Sequence, residues 1–423
     1  MINIIDLLKE NKDVTFYKVR IINTVSHELF FVHRNLETVR ATDTTTTYVT
    51  IYNSHDGKIG NADFIVYGSD DEKIIKEKIE SAVSKTKVIN NEYYTLPEKS
   101  TKSVKVKSNF EGKSLASIAE SVSEAIYSAN INKDGDINAL EIFINLINER
   151  IINSNGLDKS MERYEAIVED IPTWNGENFE SVELYNYFKF NELNKDEIKN
   201  IISSKMKEVE YRFKAKKPDS PIKMKVCLRA EELNNIMDEL AYEASASSIY
   251  QKLNVYKIGD KIQKGNNYDP LYVDKVASIK GSAYSREFDE DGVDLIDTPV
   301  IVNGKYKNIF GSNRFSKYLG ITPTGDLPCT LVKSGSLDIN DVNEYFEVVS
   351  MSGLQLELYS DYVGGEVRLG LIHRGKEIIP VTGISISAKL SEILSNMRLS
   401  KDIVTKEDYR GPNLALFDGF EIQ

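Results

Sequence analysis

The spacing of apolar residues predicts a mixture of helices and strands in the first hundred residues. Residues 28–32 and 47–52 are rich in aromatic and β-branched side chains, which strands favour. Residues 4–9 and 72–83 instead repeat apolar side chains at the spacing of a helical turn. We therefore predict an N-terminal α+β domain over residues 1–100.

Helical spacing dominates the next stretch of the chain. Ser114 precedes an apolar stripe and is a candidate N-cap, and residues 140–151 are predicted to form a second helix. Asn194, followed three residues later by a glutamate, resembles a capping box at the start of a third helix. Prolines and lysines at residues 214–221 end that helix. The pattern predicts a mainly helical middle domain over residues 105–217.

The remaining residues, 222–423, change to short strand-like runs separated by turn residues. One helix is predicted at residues 230–245, and residues 354–359 alternate apolar and polar side chains. Asp418-Gly419 predicts a closing hairpin. The predicted fold class is therefore α+β: an N-terminal α/β region, a helical middle segment and a large β-rich C-terminal domain.

Composition and charge exclude several classes of protein. The 423 residues are 41% hydrophobic and 28% charged, with a net charge of −12, which is typical of a globular protein and unfavourable for nucleic-acid binding. Basic residues clustered over residues 205–217 are interpreted as a solvated helix end. No window approaches the roughly 18 apolar residues of a membrane span. Cys227 and Cys329 are interpreted as reduced thiols, and residues 1–13 lack the features of a secretory signal, so we expect a cytoplasmic protein. We expect neither a nucleic-acid nor a membrane partner.

The sequence offers no evident catalytic centre. No two histidines lie one helical turn apart, so no zinc site is predicted; the four are His27, His33, His55 and His373. Residues 112–114 lack the glycine that a phosphate loop requires and are interpreted as a helix entry. The paired carboxylates of residues 289–291 are interpreted as an acidic turn closed by a glycine rather than an acid/base pair.

One segment matches an EF-hand calcium loop around Gly135. Its candidate oxygen ligands are Asn130, Asn132, Asp134, Asp136, Asn138 and Glu141. Asparagine at the first and third positions removes charge, so any calcium binding should be weak. The alternative is a polar turn with Gly135 in a left-handed conformation, and both interpretations stay open.

A series of short motifs between Tyr242 and Gly335 resembles the C-terminal domain of the TldD/PmbA family. In order, they are Lys-Ile-Gly-Asp-Lys-Ile at residues 257–262, Phe-Asp-Glu-Asp-Gly at 288–292, Val-Ile-Val-Asn-Gly at 300–304 and Tyr-Leu-Gly-Ile-Thr-Pro-Thr-Gly at 318–325. Residues 360–365, 371–383 and 411–416 are similar to later motifs of that family. The N-terminal part fits more weakly.

The resemblance implies a position within the family. TldD-like members carry a zinc-binding His-Glu-x-x-x-His helix, whereas PmbA (TldE) members lack it. The corresponding segment here, residues 234–243, contains no histidine. The chain therefore resembles the PmbA/TldE branch, with no catalytic residue, no zinc site and no cofactor of its own.

The same resemblance implies a function. We expect a non-catalytic subunit of a heterodimeric TldD–TldE zinc metallopeptidase that degrades unfolded peptides or removes leader peptides from peptide natural products. Zinc would belong to the TldD-like partner, and the isolated chain would form a homodimer in its place. The alternatives are a stand-alone peptide- or leader-binding protein and a calcium-binding module using residues 130–141.

Overall fold

A computed structural model describes residues 4–129, 133–177, 180–265 and 268–423. The described part of the first half is built from long strands with helices packed on them. In chain order its elements are α1 (Ile4–Glu10), β1 (Phe16–Val32), β2 (Asn35–His55), β3 (Lys58–Val66), α2 (Glu72–Thr86), β4 (Asn91–Glu92), β5 (Thr101–Lys105), α3 (Leu115–Tyr127), β6 (Gly135–Asn153), β7 (Asp158–Asn175), β8 (Ser181–Glu183), β9 (Asn186–Phe190) and α4 (Lys195–Lys214).

These strands form one sheet with the order β4-β3-β2-β1-β6-β7-β5, and β8 and β9 pair with β7. The pairs β1–β2, β1–β6 and β6–β7 are antiparallel over most of their length. Helices α1 and α2 bury Val19, Val49 and Ile51 at one end of the sheet. Helices α3 and α4 bury a second apolar cluster, which includes Ile142 and Val168, at the other end.

The second half consists mainly of short strands around a few helices. Its elements are β10 (Val226–Arg229), α5 (Ala230–Tyr242), α6 (Ala246–Gln251), β11 (Val273–Val276), β12 (Thr298–Val302), β13 (Lys305–Tyr306), α7 (Asn313–Tyr318), β14 (Cys329–Val332), a 3₁₀ turn (Ile339–Asp341), β15 (Glu344–Met351), β16 (Gln355–Glu357), β17 (Tyr362–Arg374), β18 (Glu377–Val381), β19 (Ile384–Lys389), α8 (Leu390–Leu394), β20 (Arg398–Leu399), β21 (Ile403–Lys406), β22 (Tyr409–Pro412), β23 (Leu414–Phe417) and β24 (Glu421–Ile422).

Two sheets share the core of this half. One has the order β20-β23-β10-β15-β17-β19-β24, with β16 and β18 paired to β17, and the other has the order β13-β12-β11-β14-β22-β21. Helix α5 contacts strands of both sheets and buries Leu233, Ile236, Met237 and Leu240 between them. The α+β fold class and the β-rich C-terminal domain are therefore confirmed.

The predicted helix at residues 140–151 is wrong, because this segment lies inside strand β6. The strand contains six isoleucines, whose branched β-carbons favour extended backbone. It pairs on one side with β1 and on the other with β7, and these distant partners decide its conformation. The middle segment is thus not mainly helical, and residues on both sides of the predicted 100/105 boundary belong to one sheet.

The predicted closing hairpin is also wrong. Strand β23 pairs with β10 and β20, whereas β24, on the other side of Asp418-Gly419, pairs with β19. The turn joins two strands that are not neighbours in the sheet. In the part of the chain that the structure describes, no helix has the length and apolar character needed to cross a membrane.

Ion pairs connect the two halves. The acidic turn at residues 289–291 lies against strand β1, where Lys18 Nζ is 2.6 Å from Asp291 Oδ1 and Arg20 Nη1 is 2.7 Å from Glu290 Oε1. Gly292 ends the turn with φ +82°, and a β-carbon there would lie 2.8 Å from the Leu157 side chain of the first half. The backbone conformation and the close contact with Leu157 therefore both require glycine at this position.

Candidate functional site

Helix α5 presents two faces with different roles. Its apolar face is buried in the C-terminal core, while Asn235, Asp238, Glu239 and Tyr242 lie along a cleft of about 750 Å³. Glu231 and Glu232 occupy the first turn, where carboxylates interact favourably with the helix dipole. Because the apolar face of α5 is packed in the core, the orientation of its polar face toward the cleft is fixed.

Four other segments complete the cleft. Lys275 comes from β11, and Phe310, Asp326 and Leu327 come from loops of the C-terminal half. The remaining wall is formed by Gly353, Leu354 and Leu356, just before and within β16. The cleft therefore combines an apolar wall with charged groups, and its volume falls within the range of pockets that bind small ligands or peptide side chains.

Lys275 and Asp238 form a fixed pair in the cleft. Lys275 is only 8% exposed, and its Nζ lies 3.1 Å from Asp238 Oδ1 and 2.9 Å from Thr330 Oγ1. The Thr330 hydroxyl donates to the same carboxylate oxygen of Asp238. These contacts hold Oδ1 of the Asp238 carboxylate within the protein.

Two further carboxylates of the cleft, Glu239 and Asp326, have no ion-pair partner among the described residues. Burial raises the pKa of Glu239, and the nearby Glu357 and Asp238 raise it further. Burial also raises the pKa of Asp326, against the opposing effect of Lys275. Protonation of these two groups therefore costs less than protonation of a free carboxylate.

Glu243 has a structural role at the end of α5. Its side chain is buried, and Oε2 accepts hydrogen bonds from the backbone N–H groups of Val255 (2.6 Å) and Tyr256 (2.8 Å). This carboxylate holds residues 255–256 against the helix. It is consequently not available as a metal ligand.

The zinc that a metallopeptidase requires does not fit this helix. Catalytic zinc needs three protein ligands and an open position, and α5 has no histidine. Asp238 is engaged by Lys275, and Glu243 by the backbone, which leaves Glu239 alone on the cleft face. Among residues 4–129, 133–177, 180–265 and 268–423, no three His, Cys, Asp or Glu side chains are grouped to hold a metal.

The calcium-loop hypothesis depends on a helix after the loop, and the structure has strand β6 there instead. Asn130 and Asn132 lie outside the described residues, and Asp134 precedes the strand. Asp136 Oδ2 lies 2.6 Å from His33 Nδ1, and Asn138 donates to Glu183.

Glu141 lies within β6, where it pairs with Glu169 of β7. The residues that would form the second helix of an EF-hand are therefore extended, and calcium binding by this segment stays an untested prediction.

The acidic turn is structural, as expected. Asp289 is buried, and its carboxylate accepts hydrogen bonds from the backbone N–H groups of Asp291 (2.9 Å), Val293 (3.0 Å) and Asp326 (3.1 Å). Burial, together with the Asp291 charge, raises the pKa of Asp289 to about 6. The turn thus links the N-terminal sheet to the loop that carries Asp326 into the cleft.

The other residues singled out from the sequence lie outside the cleft. Ser114 caps α3 by accepting from the Ser117 N–H, as predicted, and residues 112–114 form a helix entry. His55 is paired with Asn90, and His373 with Glu347. The cysteines Cys227 and Cys329 are buried and not bonded to each other.

Most of the cleft could not be identified from the sequence. Lys275 and Asp326 lie 33 and 84 residues beyond the end of α5, and no local motif connects them to it. One signal was present in the sequence: Lys275 lies in the strand-like run Val273–Val276, and a lysine buried in a strand usually has a partner.

Comparisons with known proteins agree with this architecture. A model of the PmbA/TldA metallopeptidase C-terminal domain matches residues 221–423, which include all the motifs on which the resemblance rests. No curated protein matches the chain.

Solved structures match over nearly the whole chain. TldE from Thermococcus kodakarensis aligns with a TM-score of 0.78 at 16% identity, covering 99% of this chain and 99% of that one. A protein described as a modulator of DNA gyrase from Thermotoga maritima gives 0.73 at 16% identity, covering 99% and 98%. Another so described, from Bacteroides thetaiotaomicron, gives 0.76 at 15%, covering 99% and 97%. These likenesses show a shared fold over nearly the whole chain, and the family model identifies residues 221–423 as a PmbA/TldA metallopeptidase C-terminal domain.

Proposed function

We propose that this chain is the non-catalytic, TldE-like subunit of a zinc metallopeptidase whose metal is held by a TldD-like partner. The observation that carries the proposal is helix α5. It forms the wall of the cleft in a metallopeptidase-type domain, but its polar face carries Asn235, Asp238 and Glu239 in place of histidine ligands. A subunit of this kind contributes shape and binding surface rather than chemistry.

The substrate class is a flexible peptide, either an unfolded peptide or the leader of a peptide natural product. The apolar wall around Leu354 and Leu356 offers contacts for side chains of any sequence. The charged groups on the opposite wall offer hydrogen bonds to a peptide backbone. Unfolded peptides and leader peptides share this chemistry, so the proposal includes both as substrates.

The partner surface is proposed to lie beside the cleft. Leu253, Val255 and Tyr359 are exposed apolar side chains, and the Tyr359 hydroxyl donates to the Leu253 carbonyl. Val255 is held against the end of α5 by Glu243. A permanent heterodimer interface should bury on the order of 2,000 Å² or more with an apolar centre. In the isolated chain the same surface would support a homodimer.

A cytoplasmic location is part of the proposal. Both cysteines are free thiols inside the C-terminal half, which agrees with a reducing compartment. The alternative function, a stand-alone peptide-binding protein, uses the same cleft without a partner. The cleft volume of about 750 Å³ supports this alternative, since it is sufficient for a short peptide segment.

Complex formation distinguishes the two functions. The chain is mixed with a TldD-like protein that carries the His-Glu-x-x-x-His helix and is analysed by size-exclusion chromatography with light scattering. We expect a stable complex, weakened at least tenfold by Leu253→Asp. Leu36→Asp, which changes a leucine of the N-terminal half with similar exposure (50% against 47%), is the matched control and should bind normally. Failure of the two proteins to associate would favour the stand-alone peptide-binding function.

A further inference from the structure

The cleft beside α5 has an apolar wall and an acidic wall, and the two together indicate what kind of group it binds. Its apolar lining includes Phe310, Leu327, Leu354 and Leu356. Its charged lining consists of the carboxylates of Asp238, Glu239 and Asp326 and the amine of Lys275. The described residues that line the cleft therefore carry more negative than positive charge.

The positive charge of Lys275 is held at one of these carboxylates. Its Nζ lies 3.1 Å from Asp238 Oδ1 and 2.9 Å from Thr330 Oγ1. The lysine is only 8% exposed, so it presents little positive surface to a ligand. Lys275 and Asp238 thus offset each other, and the remaining charge of the cleft lining comes from Glu239 and Asp326.

Glu239 is open to the cleft and lies close to other carboxylates. Its side chain is half-buried and forms no ion pair with a described residue. Burial raises its pKa most, and the two charged groups that raise it further, Glu357 and Asp238, are both negative. A cation bound beside Glu239 would therefore offset this repulsion as well as pair with the carboxylate.

Asp326 is the second open carboxylate, on the loop before β14. It is exposed and forms no ion pair with a described residue. Lys275 lowers its pKa through space, against the larger effect of burial, but does not reach it. The Asp326 carboxylate thus stays available to a second cation.

A metal ion does not fit as this cation. In the part of the chain that the structure describes, no three His, Cys, Asp or Glu side chains converge to hold one. An ammonium or guanidinium group, by contrast, can be bound by one or two carboxylates. The cation that suits the cleft is therefore an organic one.

The apolar wall determines which organic cation suits the cleft best. Lysine and arginine lay an aliphatic stem along apolar surface while the charged head stays at a polar group. Leu354 and Leu356, at and just before β16, provide such a surface beside the carboxylates. The terminal ammonium of a peptide has no stem and would use only the acidic wall.

We propose that the cleft selects a basic side chain, lysine or arginine, of the peptide it binds. The charged head lies at Glu239 or Asp326, and the stem lies on Leu354 and Leu356. The inference rests on the proposed function, because it assigns a side-chain preference to the peptide bound in the cleft. It does not depend on the metallopeptidase partner, since every residue involved belongs to this chain.

Calorimetric titration of the full chain with matched peptides tests this preference. The peptides are acetylated and amidated alanine pentapeptides that differ only at the central position, which is lysine, norleucine or glutamate. Norleucine keeps the stem of lysine without its charge. We expect the lysine peptide to bind at least about fivefold more tightly than the norleucine peptide, and the glutamate peptide to bind more weakly than either. The preference for lysine should shrink as NaCl is raised from about 50 to about 500 mM.

Variants assign the preference to the two open carboxylates. The double variant Glu239→Gln/Asp326→Asn should bind the lysine and norleucine peptides equally, and each single variant should at least about halve the preference. Glu377→Gln is the matched control and should keep the full preference. Glu377 pairs with Arg374 at one end of β17, whereas β16 of the cleft pairs with residues 362–364 at the other end.

The outcomes separate this inference from the proposed function. Equal affinity of the wild-type chain for the lysine and norleucine peptides would overturn the inference and leave peptide binding by the cleft intact. A folded double variant that keeps the wild-type preference would do the same. So would a norleucine peptide with a free amino terminus that binds as tightly as the acetylated lysine peptide, because the occupant would then be a peptide terminus. Absence of binding of every peptide at about 10 mM would overturn both the inference and peptide binding by the cleft.

Discussion

Asp170 is a buried carboxylate on β7 that should make the stability of the protein depend strongly on pH. The residue is fully buried; Oδ1 accepts a hydrogen bond from Asn186 Nδ2 at 2.7 Å, whereas Oδ2 has no partner among the described residues. Burial raises the pKa of Asp170 from 3.8 to about 7, against the smaller effects of Asn186 and Lys205. The folded state thus holds a proton that the unfolded chain releases.

The sign and size of the effect follow from this difference. Below pH 3.8 the carboxyl is protonated in both states and costs nothing. As the pH rises from 3.8 to about 7, only the unfolded chain ionises, so folding becomes less favourable by about 1.4 kcal/mol per pH unit. The accumulated penalty above pH 7 is about 4 kcal/mol. Asp170→Asn removes the titration and should therefore stabilise the protein at pH 8 by a free energy approaching this value.

Urea denaturation at pH 5, 6, 7 and 8 measures the difference between the variant and the wild type. We expect the variant's advantage to grow with pH and then level off near pH 7. Asp158→Asn on the same strand is the control with the opposite sign, because Arg150 lowers the pKa of Asp158. An Asp170→Asn effect that is constant with pH, or destabilising at pH 8, would refute the argument.

Three further outcomes are expected. Glu243→Ala should lower the free energy of unfolding by about 2–4 kcal/mol, because it leaves the N–H groups of Val255 and Tyr256 unpaired. Thermal unfolding measures this loss, and the control variant Glu239→Ala should lose much less. Elemental analysis of the purified chain should find less than stoichiometric zinc; one zinc per chain that is lost in Glu239→Ala would contradict our interpretation of α5. Calorimetry should show no submicromolar calcium binding, and Glu141→Gln should not alter the titration. Tight calcium binding that is lost in Glu141→Gln would instead support the calcium-loop hypothesis.

Features fixed by local interactions could be predicted from the sequence. Ser114 and Asn194 cap helices because their side chains accept N–H groups three residues away, and this contact is visible in the sequence. The apolar face of α5 was likewise predicted from its periodicity. The order of short motifs in the C-terminal half indicated the family without any knowledge of contacts.

Features fixed by distant contacts could not be predicted. Residues 140–151 have apolar side chains at both helical and alternating spacing, and only pairing with β1 and β7 decides between the two. The cleft draws Lys275, Asp326 and Leu354 from separate segments, so no window of sequence contains the site.

Peptide cleavage by the two subunits, separately and together, tests the central claim most directly. An unstructured reporter peptide is incubated with this chain, with a TldD-like His-Glu-x-x-x-His protein and with the mixture, and the products are followed by mass spectrometry. The account predicts cleavage only in the mixture, with a maximum at the stoichiometry of the complex. Equal cleavage by the TldD-like protein alone would contradict it, and so would cleavage by this chain alone.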